Sequence, residues 1–273
     1  MNDLELNLRI DLCEAGRRLY TAGLMPGSDG NLSAILSNDE ILVTPSRLCK
    51  GFLKPDQIVK IDRQGNQLSG DFPPSIEVRM HLAAYQERPD IFAVAHCHPP
   101  ILVAFTVAGL NLPAGVLPEI ELMFGGALPL AVYAAPGSRA LADSIREIIR
   151  EPGNSAVLLD HHGILAVGQD IFQAVIKVEH AEAAAKVIYY ASQLGQIKPL
   201  STANIAELHE SRKRLSAGGD GVKPSSGQMP GCELQAPVSA VRNDTGVRIQ
   251  APVTQSELEM IVKDVLRKVL KEG

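Results

Sequence analysis

Apolar residues recur along the chain with two different periods, and the changes of period mark the elements. Leu8, Leu12, Ala15 and Leu19 share one helical face within residues 4–23, and Gly23 before Met-Pro-Gly ends that segment. From Asn31 to Val43 short apolar runs flank the turn Ser37-Asn38-Asp39-Glu40. Ile58 to Leu68 repeats the pattern around Asp62-Arg63-Gln64-Gly65. Both read as hairpins, and two hairpins in succession predict an antiparallel sheet. Helical spacing returns over residues 75–86, a short buried strand is expected over 92–98, and a helix follows over 102–108. Strand patterns recur at 128–134 and 156–167, helical ones at 138–150 and 171–194, and a last helix ends near Leu215. Strands mixed with segregated helices predict an α+β or a layered α/β/α domain.

The pattern breaks after residue 215. Residues 216–253 are rich in Gly, Pro, Ser, Val and Gln without an apolar period, the composition of a flexible linker. In residues 254–273, Leu258, Ile261, Val262, Val265, Leu266, Val269 and Leu270 form an unbroken helical seam. Thr254 with Glu257, or Ser256 with Glu259, makes a capping box, and Lys268 and Lys271 suit the far end of the dipole. An isolated helix of this length is marginal in water, so it needs a partner: its own domain, its copies, or another protein. Its acidic residues (257, 259, 264, 272) balance its basic ones (263, 267, 268, 271), which disfavours an anionic membrane surface. The organisation expected is a domain over 1–215, a linker over 216–253 and an amphipathic helix over 254–273.

Composition narrows the function. In 273 residues, 26 Lys and Arg face 31 Asp and Glu, a net charge of −5 that lacks the basic footprint of a nucleic-acid binder. Trp is absent and aromatics are 4 %, which removes the stacking platforms of single-strand binders. Hydrophobic residues at 45 % suffice for a core. The longest nearly apolar stretch, Pro99 to Leu110, falls short of the ~18 to 20 residues of a membrane span. The N-terminus carries acidic residues where a secretory signal has basic ones, so a cytosolic location is expected. Cysteines at 13, 49, 97 and 232 show no C-x-x-C spacing, which argues against a disulfide framework or zinc ribbon.

Chemistry concentrates at His96-Cys97-His98, at the end of a strand. Alternation puts His96 and His98 on one face and Cys97 on the other, packed as a small buried residue. Two such imidazoles can grip one metal ion or simply be hydrogen-bonded strand histidines. A third ligand could come from Asp160-His161-His162-Gly163, where Gly163 lets the backbone turn and bring one histidine inward. Ser75, before Ile76-Glu77-Val78, is a good N-cap for the following helix and would place N–H groups at an anion-ready terminus, with Glu77 complementing the dipole. The small polar stretch Pro26 to Ser33 suits a nest of N–H groups around an anion, and Thr44-Pro45-Ser46-Arg47 adds a hydroxyl and a guanidinium.

The order Gly30-Asn31-Leu32-Ser33, Val43-Thr44-Pro45-Ser46, Pro74-Ser75-x-Glu77, His96-x-His98 and His162-Gly163 resembles the class II aldolase/adducin family over residues 5–200. The resemblance implies a three-layer α/β/α domain with a central, largely antiparallel sheet, assembled as a homotetramer. It implies one zinc ion per subunit held by His96, His98 and His162, with Glu77 as acid/base and resting-state ligand. Gly30, Asn31, Ser46 and Ser75 would hold the substrate phosphate. The activity implied is reversible aldol cleavage of a deoxyketose 1-phosphate such as L-fuculose 1-phosphate to dihydroxyacetone phosphate and lactaldehyde. A pentulose-phosphate 4-epimerase, a decarboxylase and an adducin-like binding module are the family's alternatives. Arg47 stands where members often have Gly, and would compensate on the phosphate for Ile76, which replaces a second phosphate-binding Ser. The catalytic Tyr of fuculose-cleaving members falls near residues 117–119, where there is none, and Glu119 or Glu121 is the expected replacement. The order of domain, linker and amphipathic helix resembles that of cargo enzymes whose encapsulation peptides dock on a bacterial microcompartment shell protein or another cargo helix. That implies the microcompartment lumen as the location.

Overall fold

Eight strands form one sheet in the order β4-β3-β2-β1-β5-β8-β7-β6. They are β1 (Asn31–Ile35), β2 (Glu40–Val43), β3 (Val59–Asp62), β4 (Gln67–Ser69), β5 (Ala93–Cys97), β6 (Leu130–Ala131), β7 (Ala156–Leu159) and β8 (Gly163–Gly168). The computed structural model describes residues 2–217, all within the first of two units, 1–228 and 229–273, into which the chain divides. The linker beyond Ala217 and the helix expected at 254–273 lie outside the described residues.

Every strand pairing is antiparallel except β6 with β7. The two hairpins expected near the N-terminus are β1-β2 and β3-β4. Among the described residues seven α-helices, beside two short 3-10 turns, accompany the sheet: α1 (Asp3–Thr21), α2 (Val78–Glu87), α3 (Pro100–Val107), α4 (Pro118–Phe124), α5 (Arg139–Arg150), α6 (Ile171–Leu194) and α7 (Thr202–Ala217). Caps fix several of them. Asn2 Oδ1 accepts from Glu5 N–H at 2.9 Å, Ser138 Oγ from Leu141 N–H at 3.1 Å and Asp170 Oδ1 from Gln173 N–H at 2.8 Å.

Two separate cores show that helices cover both faces of the sheet. Ala93, Ala95 and Cys97 of β5 join Leu12 and Leu19 of α1, Leu102 of α3 and Val175 and Val178 of α6 in one core. Val94 faces the other, with Met80 and Ala84 of α2 and Leu141 and Ile145 of α5. Period-2 alternation thus becomes a three-layer α/β/α arrangement with β5 buried on both faces. Truncating one of these aliphatic side chains to Ala costs about 2 to 5 kcal/mol, because the hole does not close.

Two expectations need correction, and one helix was not expected. The helix over 75–86 starts at Val78 with Glu77 at its N-cap, and Ser75 does not cap it: Ser75 Oγ takes the Glu77 N–H at 3.3 Å in a turn ahead of the helix. Pro73-Pro74 upstream makes extended backbone more favourable there than helix. The strand at 128–134 shrinks to Leu130–Ala131, since Val132 and Tyr133 beyond it are exposed and pair with nothing in the sheet. Helix α4 has no apolar period long enough to announce it. Pro118 starts it and Gly125, at φ 77°, ends it.

Candidate active site

The site sits where β1, β5 and β8 run side by side. Asn31 pairs with His96 across β1-β5, and His96 with Leu165 across β5-β8, so Asn31 and His96 stand together on the α2 side of the sheet. Cys97 points the other way, fully buried, and burial pushes its thiol up, out of reach of ionisation.

His96 donates Nδ1–H to the carbonyl of Ile164 at 3.0 Å, which turns the Nε2 lone pair inward. His98 Nε2 lies 3.0 Å from it. The third histidine is His162, its ring 4.8 Å from that of His96 and 4.9 Å from that of His98. His161 points outward, with Nδ1 2.8 Å from Asp160 Oδ1. The turn is made by His161 itself, at φ 54°, and not by Gly163 as the sequence suggests. Gly163 matters through close approach: a Cβ there would lie 2.2 Å from the Cys97 carbonyl oxygen and 2.9 Å from His98 Cδ2. Only glycine lets β8 come this near the histidine pair.

Glu77 closes the cluster from the start of α2. Its Oε2 lies 3.3 Å from His96 Nε2 and accepts from Asn31 Nδ2 at 2.8 Å, and its Oε1 lies 3.2 Å from His162 Nε2. Burial alone would raise this carboxyl, but hydrogen bonding with His162, His96 and Asn31 outweighs it and holds the group well below the usual carboxylate range. Burial, reinforced by the neighbouring imidazoles, pushes His98 down to about 4. At neutral pH His98 therefore offers a lone pair.

Ligand atoms of Glu77, His96, His98 and His162 all lie within 4.8 Å of one another. Buried His162 Nδ1 has no hydrogen-bond partner. Lone pairs and a carboxylate gathered in a dry site repel one another unless a cation sits among them, and three nitrogens with one oxygen suit zinc and similar divalent ions. The donor set fits a metal.

Beside the cluster opens a cleft of about 330 Å³. Its lining brings together all the residues expected to hold phosphate: Gly30, Asn31, Ser46, Arg47 and Ser75, next to Glu77, His98 and His162. Arg47 is exposed and adopts φ 61°, a left-handed conformation that a non-glycine residue holds at a cost of about 1 to 2 kcal/mol. Lys50, which also lines the cleft, was not legible in the sequence. It is 2 % exposed, its Nζ donates to the Ser28 carbonyl at 2.5 Å, and burial lowers its pKa against the pull of Asp29. The available signal was Gly16 in mid-helix, where a Cβ would meet the Lys50 carbonyl oxygen at 2.5 Å.

The two glutamates expected to replace the missing Tyr stand in different surroundings. Glu119 is exposed, and Glu121 is buried with Oε1 accepting from Gly115 N–H at 2.6 Å and Oε2 2.6 Å from His209 Nε2. That carboxylate ties α4 to α7.

Residues 10–189 match the model of the Class II Aldolase and Adducin N-terminal domain. The chain belongs to this family. The class II aldolase-like chain is 34 % identical over 210 residues to 3-oxo-tetronate 4-phosphate decarboxylase of Escherichia coli (strain K12), covering 75 % of this chain and 96 % of that protein. It is also 34 % identical over 191 residues to L-fuculose phosphate aldolase of Methanococcus maripaludis, covering 70 % and 99 %. Among solved structures, an L-fuculose 1-phosphate aldolase superposes with a TM-score of 0.69 at 32 % identity, over 76 % of this chain and 96 % of that one. The chain is an enzyme of the lyase class. Among the described residues, no helix is long and apolar enough to cross a membrane.

Proposed function

We propose that this class II aldolase cleaves the C3–C4 bond of a deoxyketose 1-phosphate, L-fuculose 1-phosphate or a close analogue, to dihydroxyacetone phosphate and lactaldehyde, with zinc held by His96, His98, His162 and Glu77. The observation that carries this is the meeting of the Glu/His cluster and the polar, cationic cleft at Glu77. The ion, when bound, supplies Lewis-acid stabilisation of the negative charge that builds on the substrate oxygens as the bond breaks. The chain does the rest. Gly30, Asn31, Ser46 and Ser75 offer the phosphate hydrogen-bonding groups, and Arg47 and Lys50 add charge-assisted bonds. Glu77, buried where the cluster meets the cleft, accepts a proton from solvent and delivers it to C3, while the proton of the C4 hydroxyl leaves to a separate base.

Decarboxylation of a phosphorylated 3-oxo acid is the second reading, supported by the tying-up of Glu121. Aldol cleavage needs a group that removes the proton of the C4 hydroxyl, whereas loss of carbon dioxide does not. The name of the Escherichia coli relative points the same way.

Dihydroxyacetone phosphate release from L-fuculose 1-phosphate and L-rhamnulose 1-phosphate tests the first reading, with His162→Ala as the inactive control. Carbon dioxide release from 3-oxo-tetronate 4-phosphate, with no release from either sugar, selects the second.

Assembly as a homotetramer and carriage in a microcompartment by residues 254–273 belong to the same proposal. The support is the apolar seam from Leu258 to Leu270 after a Gly/Pro/Ser-rich linker, and the reactivity of a small aldehyde product that a shell would retain. Deleting residues 254–273 is expected to leave kcat unchanged and abolish co-purification with shells. Loss of catalysis would instead make the segment part of the enzyme.

A further inference from the structure

Behind the cluster a row of polar side chains links Glu77 and Asn31 to three buried residues that the chemistry above does not use. The Tyr85 hydroxyl lies 2.8 Å from Ser33 Oγ, and Ser33 Oγ lies 2.7 Å from His81 Nδ1. His81 Nε2 lies 2.6 Å from Asn31 Oδ1, and Asn31 Nδ2 lies 2.8 Å from Glu77 Oε2. Two periodicities build this row. Glu77, His81 and Tyr85 are spaced by four along α2 and its cap, and Asn31 and Ser33 by two along β1, so one helix stripe faces one strand stripe. All five residues are buried, from 0 % exposure at Ser33 and His81 to 7 % at Glu77.

Each bond has a direction, set from the acid end. An ionised Glu77 can only accept, so the amide nitrogen of Asn31 faces it and Asn31 Oδ1 faces His81. That oxygen also only accepts, so His81 carries its proton on Nε2. His81 is fully buried and its Nε2 proton is committed to Asn31, so the ring is neutral and Nδ1 accepts from the Ser33 hydroxyl. Ser33, its hydrogen committed, accepts from the Tyr85 hydroxyl, which burial keeps protonated.

We propose that Tyr85, Ser33, His81 and Asn31 form a one-way positioning relay, in which His81, locked as the neutral Nε2–H tautomer, holds Glu77 Oε2 through Asn31 and leaves Oε1 as the oxygen that exchanges protons with substrate. The two oxygens already differ: Oε2 takes the Asn31 hydrogen bond, whereas Oε1 faces His162 Nε2 at 3.2 Å. A flipped Asn31 amide would set oxygen against carboxylate and N–H against N–H, so the relay also forbids that rotamer. None of the four relay residues adds a proton to the reaction.

This relay rests on the acid/base role of Glu77, and its test separates the two. Nitrogen-15 spectra of histidine-labelled full-length protein, with the His81 signals assigned by their loss in His81→Gln, are expected to show a protonated Nε2 and a bare Nδ1. That pattern should not titrate between pH 6 and 9. A protonated Nδ1 overturns the relay. In kinetics, His81→Phe, which cannot donate to Asn31, is expected to lower kcat about tenfold to hundredfold, the usual scale for groups that orient a ligand or base. KM and metal content should stay near wild type, and His81→Gln, whose amide can donate, should recover most of the loss. A folded His81→Phe protein with wild-type kcat overturns the relay; if that variant does not fold, the tautomer decides. A wild-type protein that shows the Nε2–H tautomer but turns over none of the proposed substrates overturns the role of Glu77, while the relay geometry stands.

Discussion

His96 Nε2 and His98 Nε2 face each other at 3.0 Å, two ring nitrogens from alternate positions at the end of one strand. With Nδ1–H of His96 committed to Ile164, its Nε2 lone pair faces a nitrogen that either donates a proton to it or shares a cation with it. Purified protein is expected to carry a divalent metal that His98→Ala and His162→Ala lose, as read by elemental analysis. Chelation should lower the melting temperature and re-addition restore it, by about 2.7 kcal/mol of stability at a hundredfold excess over Kd.

Gly163→Ala tests the close approach of β8 to the histidine pair. Its Cβ meets backbone, the Cys97 carbonyl oxygen, which cannot rotate away. The strands must separate, at a cost of about 1 to 3 kcal/mol for overpacking. Urea denaturation should show that loss, and metal content should fall with it because His98 moves too.

Arg47→Gly sets stability against binding. Glycine relieves the left-handed backbone by about 1 to 2 kcal/mol and returns about 0.4 to 1 kcal/mol through a freer unfolded chain, a net gain of roughly 0.5 to 1 kcal/mol. Loss of a charge-assisted bond to phosphate, worth about 1.5 to 3 kcal/mol, should raise KM about tenfold or more. Thermal melting and initial-rate kinetics on one preparation check both signs. An unchanged KM would remove Arg47 from the phosphate site.

Lys177 gives a pH dependence remote from the site. Its Nζ donates to the Val167 carbonyl at 2.5 Å, and burial, reinforced by Arg88, pushes its pKa from 10.5 down to about 8. Between those values the unfolded chain holds a proton that the folded chain has released, so this group adds stability as pH rises from about 8 towards 10.5. Below pH 8 the folded chain carries the buried charge and that increment is absent. Denaturation midpoints at pH 7, 9 and 10 should show a smaller alkaline gain in Lys177→Met than in wild type.

Local pattern carried far in this chain. Alternation along residues 92–98 is enough to put His96 and His98 on one face and Cys97 in a core, because a strand has a period of two wherever it lies. Spacing alone placed helices α5 and α6, whose caps Ser138 and Asp170 are written beside them. The residues expected to hold phosphate gather in the cleft, but singly they read as ordinary turn residues, and it was their order along the chain, through the family resemblance, that marked them.

What the sequence by itself determined, then, is which side chains share a face and where each element begins its period. Local spacing left open which of His161 and His162 turns inward; the family resemblance named His162, and the tertiary structure supplies the reason, a left-handed residue and the nearness of β8 to β5. Only that structure decided that Lys50 is buried, that Glu121 is spent on α7, and that His81 stands behind Glu77. Each of these depends on a contact between segments far apart in the chain, and no local period encodes which distant backbone will fill the space beside a residue.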